Sequence, residues 1–155
     1  MKSTKYLFTA TILILVFLLS GCATYYPNRK PLGEMFPSVV GQSLEKKTIL
    51  FPDHVAGKNV LLLLGYVQNS QFDIDRWLIG LDMTQTQVDV FELPTIQGMF
   101  PRFFKTKIDQ GMRKGIPKEL WKGVITIYGD GEKIQLFTGN MNSNNARVIL
   151  LGKNG

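Results

Sequence analysis

Apolar and polar positions change their period several times along the chain, and each change marks an element. Lys47-Thr48-Ile49-Leu50-Phe51-Pro52 reads as a short strand closed by proline. After a Gly57-Lys58 turn, Asn59 to Tyr66 is an unbroken apolar run bounded by turn residues. It is too short for a buried helix of usual length, so it predicts a central strand covered on both faces. A helix is expected over 71–81, capped by Ser70, with Asp73 and Asp75 in its first turn and Ile74, Trp77, Leu78 and Leu81 as its buried face. Gln87 to Leu93 alternates and predicts a second strand, ended by Pro94. Arg102 to Lys114 predicts a second helix, with Phe104, Ile108 and Met112 four apart, Phe103 beside them, and Gly115 and Pro117 as the stop. Val124–Tyr128 and Glu132–Phe137 flank Gly129-Asp130-Gly131, which predicts a hairpin. Arg147 to Leu151 reads as a strand, with a short C-terminal helix as the alternative. Strands alternating with helices predict an α/β domain, a parallel or mixed central sheet with helices packed on it.

The beginning of the chain obeys a different logic. Lys2 and Lys5 precede a nearly continuous apolar run from Tyr6 to Leu19. The run has the length of a signal-peptide core and is short for a spanning helix, which needs about 20 residues. It ends in Leu19-Ser20-Gly21-Cys22, which resembles the bacterial lipobox. That resemblance implies a diacylglyceryl thioether on Cys22, cleavage before it and a further acyl chain on the freed amine. Several acyl chains anchor firmly, because each buried CH₂ contributes about 0.8 kcal/mol. Residues 1–21 are then a lipoprotein signal peptide. Residues 22–36, with Pro27, Pro31 and Gly33 and no apolar period, are a tether, and 37–155 is the folded domain. By the same resemblance Ala23, not Asp, favours the outer membrane facing the periplasm if the envelope is Gram-negative.

Composition narrows the chemistry. Among 155 residues there is one Cys and one His. This excludes an internal disulfide, a CxxC pair, a Cys-rich zinc site and the two-His metal motifs. No metal site and no cofactor are expected. Removing Lys2 and Lys5 from the 18 basic residues leaves 16 against 12 acidic ones, a net +4. Arg102, Lys105, Lys107, Arg113 and Lys114 against Asp109 carry that whole excess. A basic amphipathic helix suits an acidic partner or an anionic lipid surface, and equally a solvated face whose lysine stems cover apolar neighbours. An exported lipoprotein has little call on nucleic acid.

The run Phe36-Pro37-Ser38-Val39-Val40-Gly41, then Lys47 to Pro52, then Gly57-Lys58-Asn59-Val60-Leu61-Leu62-Leu63 resembles the opening of peroxiredoxin and thioredoxin-like domains. Gly111 to Pro117 and Val148 to Gly155 are similar to a mitochondrial ATP synthase assembly-factor family of that fold. The resemblance implies a three-layer thioredoxin-like domain. In redox-active members a catalytic Cys follows the first central strand, where a helix N-terminus lowers the thiol pKa. Here the matching stretch is Tyr66-Val67-Gln68-Asn69-Ser70-Gln71, without Cys. Ser70 would need a positioned base, and His54 lies in a separate predicted loop. Such domains also continue with another strand and a helix past the turn that Asn154-Gly155 resembles. A C-terminally truncated sheet with an open edge is therefore expected, available to a partner or to a second copy.

Other candidates are weaker. Asp73, Asp75 and Asp82 lack the loop of an EF-hand. Asp89 and Glu92 should point to opposite faces of a strand. The expectation is a non-enzymatic, membrane-anchored envelope protein that binds a protein partner through the basic helix, or alternatively a module for anionic lipid or a small ligand.

Overall fold

The structure is a computed structural model that describes residues 25–98 and 103–155. Strands β1 (Val39–Ser43) and β2 (Thr48–Phe51) form an antiparallel hairpin, with Val40 opposite Leu50 and Gln42 opposite Thr48. Strand β3 (Val60–Gly65) leads into helix α1 (Gln71–Met83), which returns to β4 (Asp89–Pro94). The two strands are parallel, with Val60 beside Asp89 and Leu64 beside Leu93. Helix α2 (Lys105–Gly115) then leads to the short strand β5 (Ile125–Thr126), helix α3 (Gly131–Thr138) and strand β6 (Arg147–Leu151). β6 runs antiparallel to β3, with Leu151 opposite Val60 and Arg147 opposite Leu64.

Two three-stranded sheets result, β2-β1-β5 and β4-β3-β6. Parallel bridges Glu92–Val124 and Thr95–Ile127 join them between β4 and β5. The joint is held by backbone bonds from Glu92 N–H to Gly123 O at 2.9 Å and from Ile127 N–H to Pro94 O at 2.8 Å. The whole is a mixed sheet in the order β2-β1-β5-β4-β3-β6.

Strand periodicity divides β3 between two cores. Val60, Leu62 and Leu64 face one side, where Leu93, Leu151, Phe51, Ile125, Ile127 and Ile134 of α3 close around them. Leu61 and Leu63 face the other side, beneath Ile74 of α1. Helices on both faces make three layers, and every residue of β3 is buried. Truncating such a fully enclosed leucine to alanine costs about 2–5 kcal/mol.

Three local outcomes differ from the sequence expectations. β1 is a strand that the hydrophobic pattern did not predict. Only Val39, Gly41 and Ser43 are buried in it, and two of these three are not apolar. The hairpin at Asp130-Gly131 is absent: Gly131–Thr138 is helical, and among the described residues β1 pairs with β2 and β5. Asp130 has φ −102° and ψ 15°, not the positive φ that a type I′ turn requires. Its carboxylate accepts the Val40 N–H of β1 at 2.9 Å, which fixes the turn by a long-range bond. Helical spacing then brings Ile134 into the larger core and Thr138 beneath the following loop.

The stretch expected as a tether is irregular, but from Tyr26 onward it lies against the domain as a strap. Tyr26 and Phe36 are buried. Arg29 N–H donates to Thr138 O at 3.0 Å, and Asn140 N–H to Tyr26 O at 3.0 Å. Gly139, at φ +58°, lies directly under the strap, so that a Cβ there would collide with the Pro27 carbonyl. Cys22 and Arg102, both singled out from the sequence, lie outside the described residues.

Candidate partner-binding surface

Two places on this framework invite chemistry: the end of β3, where redox domains of the resembling kind carry a thiol, and the basic helix α2. At the end of β3, Tyr66 turns its hydroxyl to Thr138 Oγ1 at 2.5 Å. Thr138 Oγ1 also reaches Ile134 O at 3.1 Å. Burial pushes the Tyr66 phenol up to about 12, against smaller opposing effects of the Thr138 bond and the Arg147 charge, so it stays protonated. Ser70 precedes α1 as expected but does not cap it. Its Oγ instead donates to Val67 O at 2.6 Å. Gly65 makes room for it, since a Cβ there would come within 2.6 Å of that oxygen. His54 is exposed in a separate turn with its ring edge-on to Phe51 and Phe91. No base meets Ser70 among the described residues, and residues 25–155 contain no Cys.

Glu92 lies one strand away. Burial raises its carboxyl above the usual range, a hydrogen bond from Gln71 pulls it back, and the nearby Asp75 charge raises it further. Gln71 also donates to Asp75 at 3.0 Å. Asp73 pairs with Arg76 at 2.9 Å and accepts the Ala146 N–H at 3.1 Å, a helix-terminus role. Among the described residues no group of three or more His, Cys, Asp or Glu is placed to hold a metal ion.

The expected buried face of α1 is only partly buried. Ile74 is enclosed at 1%, but Trp77 and Leu78 remain 47% and 39% exposed. The outward residues Phe72, Ile79 and Met83 are more exposed still.

Helix α2 is rotated from the expected stripe. Its buried residue is Asp109, whose carboxylate accepts the Tyr128 hydroxyl at 2.9 Å. Burial and that carboxylate both raise the Tyr128 phenol, so it stays protonated and keeps donating. Phe104 stays half exposed. The basic residues then divide by role. Lys105 Nζ sits 5.2 Å from the Tyr128 ring centre, and Lys107 Nζ 5.9 Å from that of Phe104. Arg113 is an anchor: its Nε donates to Leu44 O at 2.7 Å and its guanidinium stacks 5.8 Å from the Trp121 ring. Lys107 and Lys114 are exposed and two turns apart, so they share one face.

The Arg113 anchor has a consequence for charge. It brings the β1–β2 turn, 69 residues away in sequence, against the C-terminal half of α2. Lys46, Lys47 and Lys118 thereby join Arg113 around a cavity of about 580 Å³ floored by Leu44 and Trp121. Lys47 pairs with Glu45 at 2.8 Å, whereas Lys46 and Lys118 meet no carboxylate among the described residues. These lysines escaped the sequence reading. Glu45-Lys46-Lys47 is an ordinary charged turn until the fold brings it to the helix.

No family model matches the chain, and no curated protein matches it. Solved structures do. One is the pneumococcal exposed lipoprotein thioredoxin Etrx1 of Streptococcus pneumoniae strain TIGR4, at 12% identity and TM-score 0.51, covering 77% of this chain and 84% of that one. Another is BsSco, a member of the Sco family of cytochrome c oxidase assembly proteins, at 12% identity and TM-score 0.52, covering 83% of each chain. At such identities the likeness speaks for architecture alone. The mixed sheet, the helices on both its faces and these neighbours establish that the chain has a thioredoxin-like fold.

Proposed function

We propose that this protein is a membrane-anchored envelope lipoprotein whose thioredoxin-like domain is redox-inactive and binds a protein partner in envelope assembly or maintenance. The observation that carries the reading is the state of the β3–α1 junction. Where redox domains place a thiol, this chain has Ser70 bonded back to Val67 O, with no base beside it among the described residues. The fold is kept and its usual chemistry is missing, which leaves surface recognition as its use. Positive charge gathered from α2, the β1–β2 turn and Lys118 suits an acidic protein surface. The lipobox-like Leu19-Ser20-Gly21-Cys22 supports the anchor. An exposed lipoprotein and a member of an assembly-protein family among the similar structures are in keeping with both parts.

The test is affinity capture of the tagged full chain from solubilised membranes, beside a variant with Lys105, Lys107 and Lys114 changed to Glu. Arg113 is left in place because it anchors the β1–β2 turn. One dominant protein, lost in the variant, is the expected result. Equal recovery in both would remove α2 from the reading, and disulfide exchange or peroxide turnover by the purified chain would overturn its non-catalytic part. The cavity beside Trp121 favours one second reading, a small anionic ligand or lipid headgroup held by Lys46, Lys118 and Arg113. That reading predicts binding to anionic vesicles which falls steeply with salt.

A further inference from the structure

We propose that the trough between the strap, residues 29–36, and strand β6 takes up an extended peptide of apolar and acidic residues, added to the sheet as a further strand. The site is distinct from the α2 surface and does not depend on α2 binding anything. β6 pairs with β3 along one side only. In an antiparallel pair alternate residues bond to the neighbour, so the others turn N–H and C=O the opposite way. Among the described residues no strand receives them.

The strap runs alongside that edge but is fastened only at its ends. At one end Arg147 Nη2 donates to Arg29 O at 2.6 Å, and Arg29 N–H to Thr138 O at 3.0 Å. At the other end Phe36 N–H donates to Gly155 O at 3.2 Å. Between them the strap bonds to itself, Leu32 N–H to Lys30 O at 2.8 Å and Glu34 N–H to Pro31 O at 3.3 Å. A trough of about 590 Å³ stays open between the two walls. With a rise of about 3.3 Å per residue, a strand lying along β6 would need about five residues.

Its lining selects the occupant. Leu32 and Leu150 are 89% and 68% exposed, an apolar side chain on each wall. Lys30 stands toward one end and Lys153 toward the other, and neither meets a carboxylate among the described residues. Glu34, an acid in the lining, is already held by Arg29 with both oxygens at 2.9 Å. A second copy pairing its own β6 antiparallel about Leu150 would set Arg147 of each chain opposite Lys153 of the other, and like charges across a strand pair repel. An apolar strand with acidic side chains meets both the leucines and the lysines.

The experiment titrates the full chain in detergent micelles with a nine-residue peptide alternating valine and glutamate, and with its valine–lysine counterpart. Backbone amide signals and their hydrogen exchange are the readout. The glutamate peptide is expected to shift Leu32 and Leu150 saturably and to protect alternate amides of β6. The lysine peptide should bind at least tenfold more weakly. Lys30→Glu with Lys153→Glu, both exposed, should weaken the glutamate peptide about tenfold without moving the melting temperature. Absence of saturation below millimolar peptide, or equal binding of the two peptides, would overturn the proposal. So would concentration-dependent protection of β6 without peptide, which marks a second copy as the occupant. Shifts confined to α2 would also overturn it, while leaving the reading of that helix standing.

Discussion

Helices α1 and α2 are of similar length, and both are visible in the sequence as apolar positions three and four apart. They meet the rest of the chain in opposite ways. α1 carries apolar residues well beyond its buried stripe, yet only Ile74 is enclosed, and at its N-terminal end, the place of chemistry in redox-active domains of this fold, Ser70 Oγ is bonded back to Val67 O. α2 has a polar composition but is seated by a buried carboxylate, Asp109, and by Arg113 on the Leu44 carbonyl. The thioredoxin-like framework around α1 is kept, with Ser70 and no Cys at the β3–α1 junction. The Arg113 bond sets α2 against the β1–β2 turn, and this is where charge from three separate segments converges.

Substitutions can break that contrast at several strengths. The largest loss should follow Ile74→Ala, which removes the one fully enclosed side chain of α1. About 2–5 kcal/mol is expected by denaturant unfolding, whereas Ile79→Ala on the outer side should stay within about 0.5 kcal/mol. Equal effects would mean that α1 is seated differently. Next comes Asp109→Ala, which takes the 2.9 Å acceptor from the buried Tyr128 hydroxyl and leaves it the Lys105 carbonyl at 3.4 Å, and should cost about 1–3 kcal/mol. Tyr128→Phe in the same background should recover part of that loss, as a double-mutant cycle would show.

The contrast also marks what the sequence could and could not disclose. β3 was legible because eight residues bounded by turns leave few alternatives to a doubly buried strand. The helix at 131–138 was not, because Asp130-Gly131 is a strong local hairpin signal. In the fold the Asp130 carboxylate instead accepts the Val40 N–H of β1 and pairs with Lys133 of the helix. β1 was hidden by its composition, with Gly41 inward so that Ile125 and Ile127 can approach it closely. On the candidate surface, Lys105, Lys107, Arg113 and Lys114 were found by counting charge along a helix. Their different duties depend on Tyr128, Phe104, Leu44 and Trp121, partners that charge counting along a helix does not disclose. Lys46 and Lys118 became visible only when the fold brought their segments together.

Smaller effects sharpen the picture further. Lys107→Glu with Lys114→Glu should change stability by no more than about 0.5 kcal/mol, because exposed charges contribute little. Loss of the captured partner in that double variant is therefore expected without unfolding, and circular dichroism at the melting transition checks it. The smallest effect concerns pH. The Glu92 carboxyl is raised by burial, so the folded chain holds its proton more tightly than the unfolded chain. Its burden on stability is absent below the unfolded carboxylate range and complete once pH exceeds the folded value. Glu92→Gln should thus stabilise at pH 7, by no more than about 1 kcal/mol, and the gain should vanish on acidification. A gain that grew as pH fell would show that the environment of Glu92 favours its charged form.

Partner recognition is proposed to sit on α2 and not on α1. A photo-crosslinking residue placed in the full chain in cells, at Lys114 in one strain and at Ile79 in another, tests it most directly. One discrete protein adduct is expected from position 114 and none from position 79. A discrete adduct from position 79 with none from 114 would contradict it.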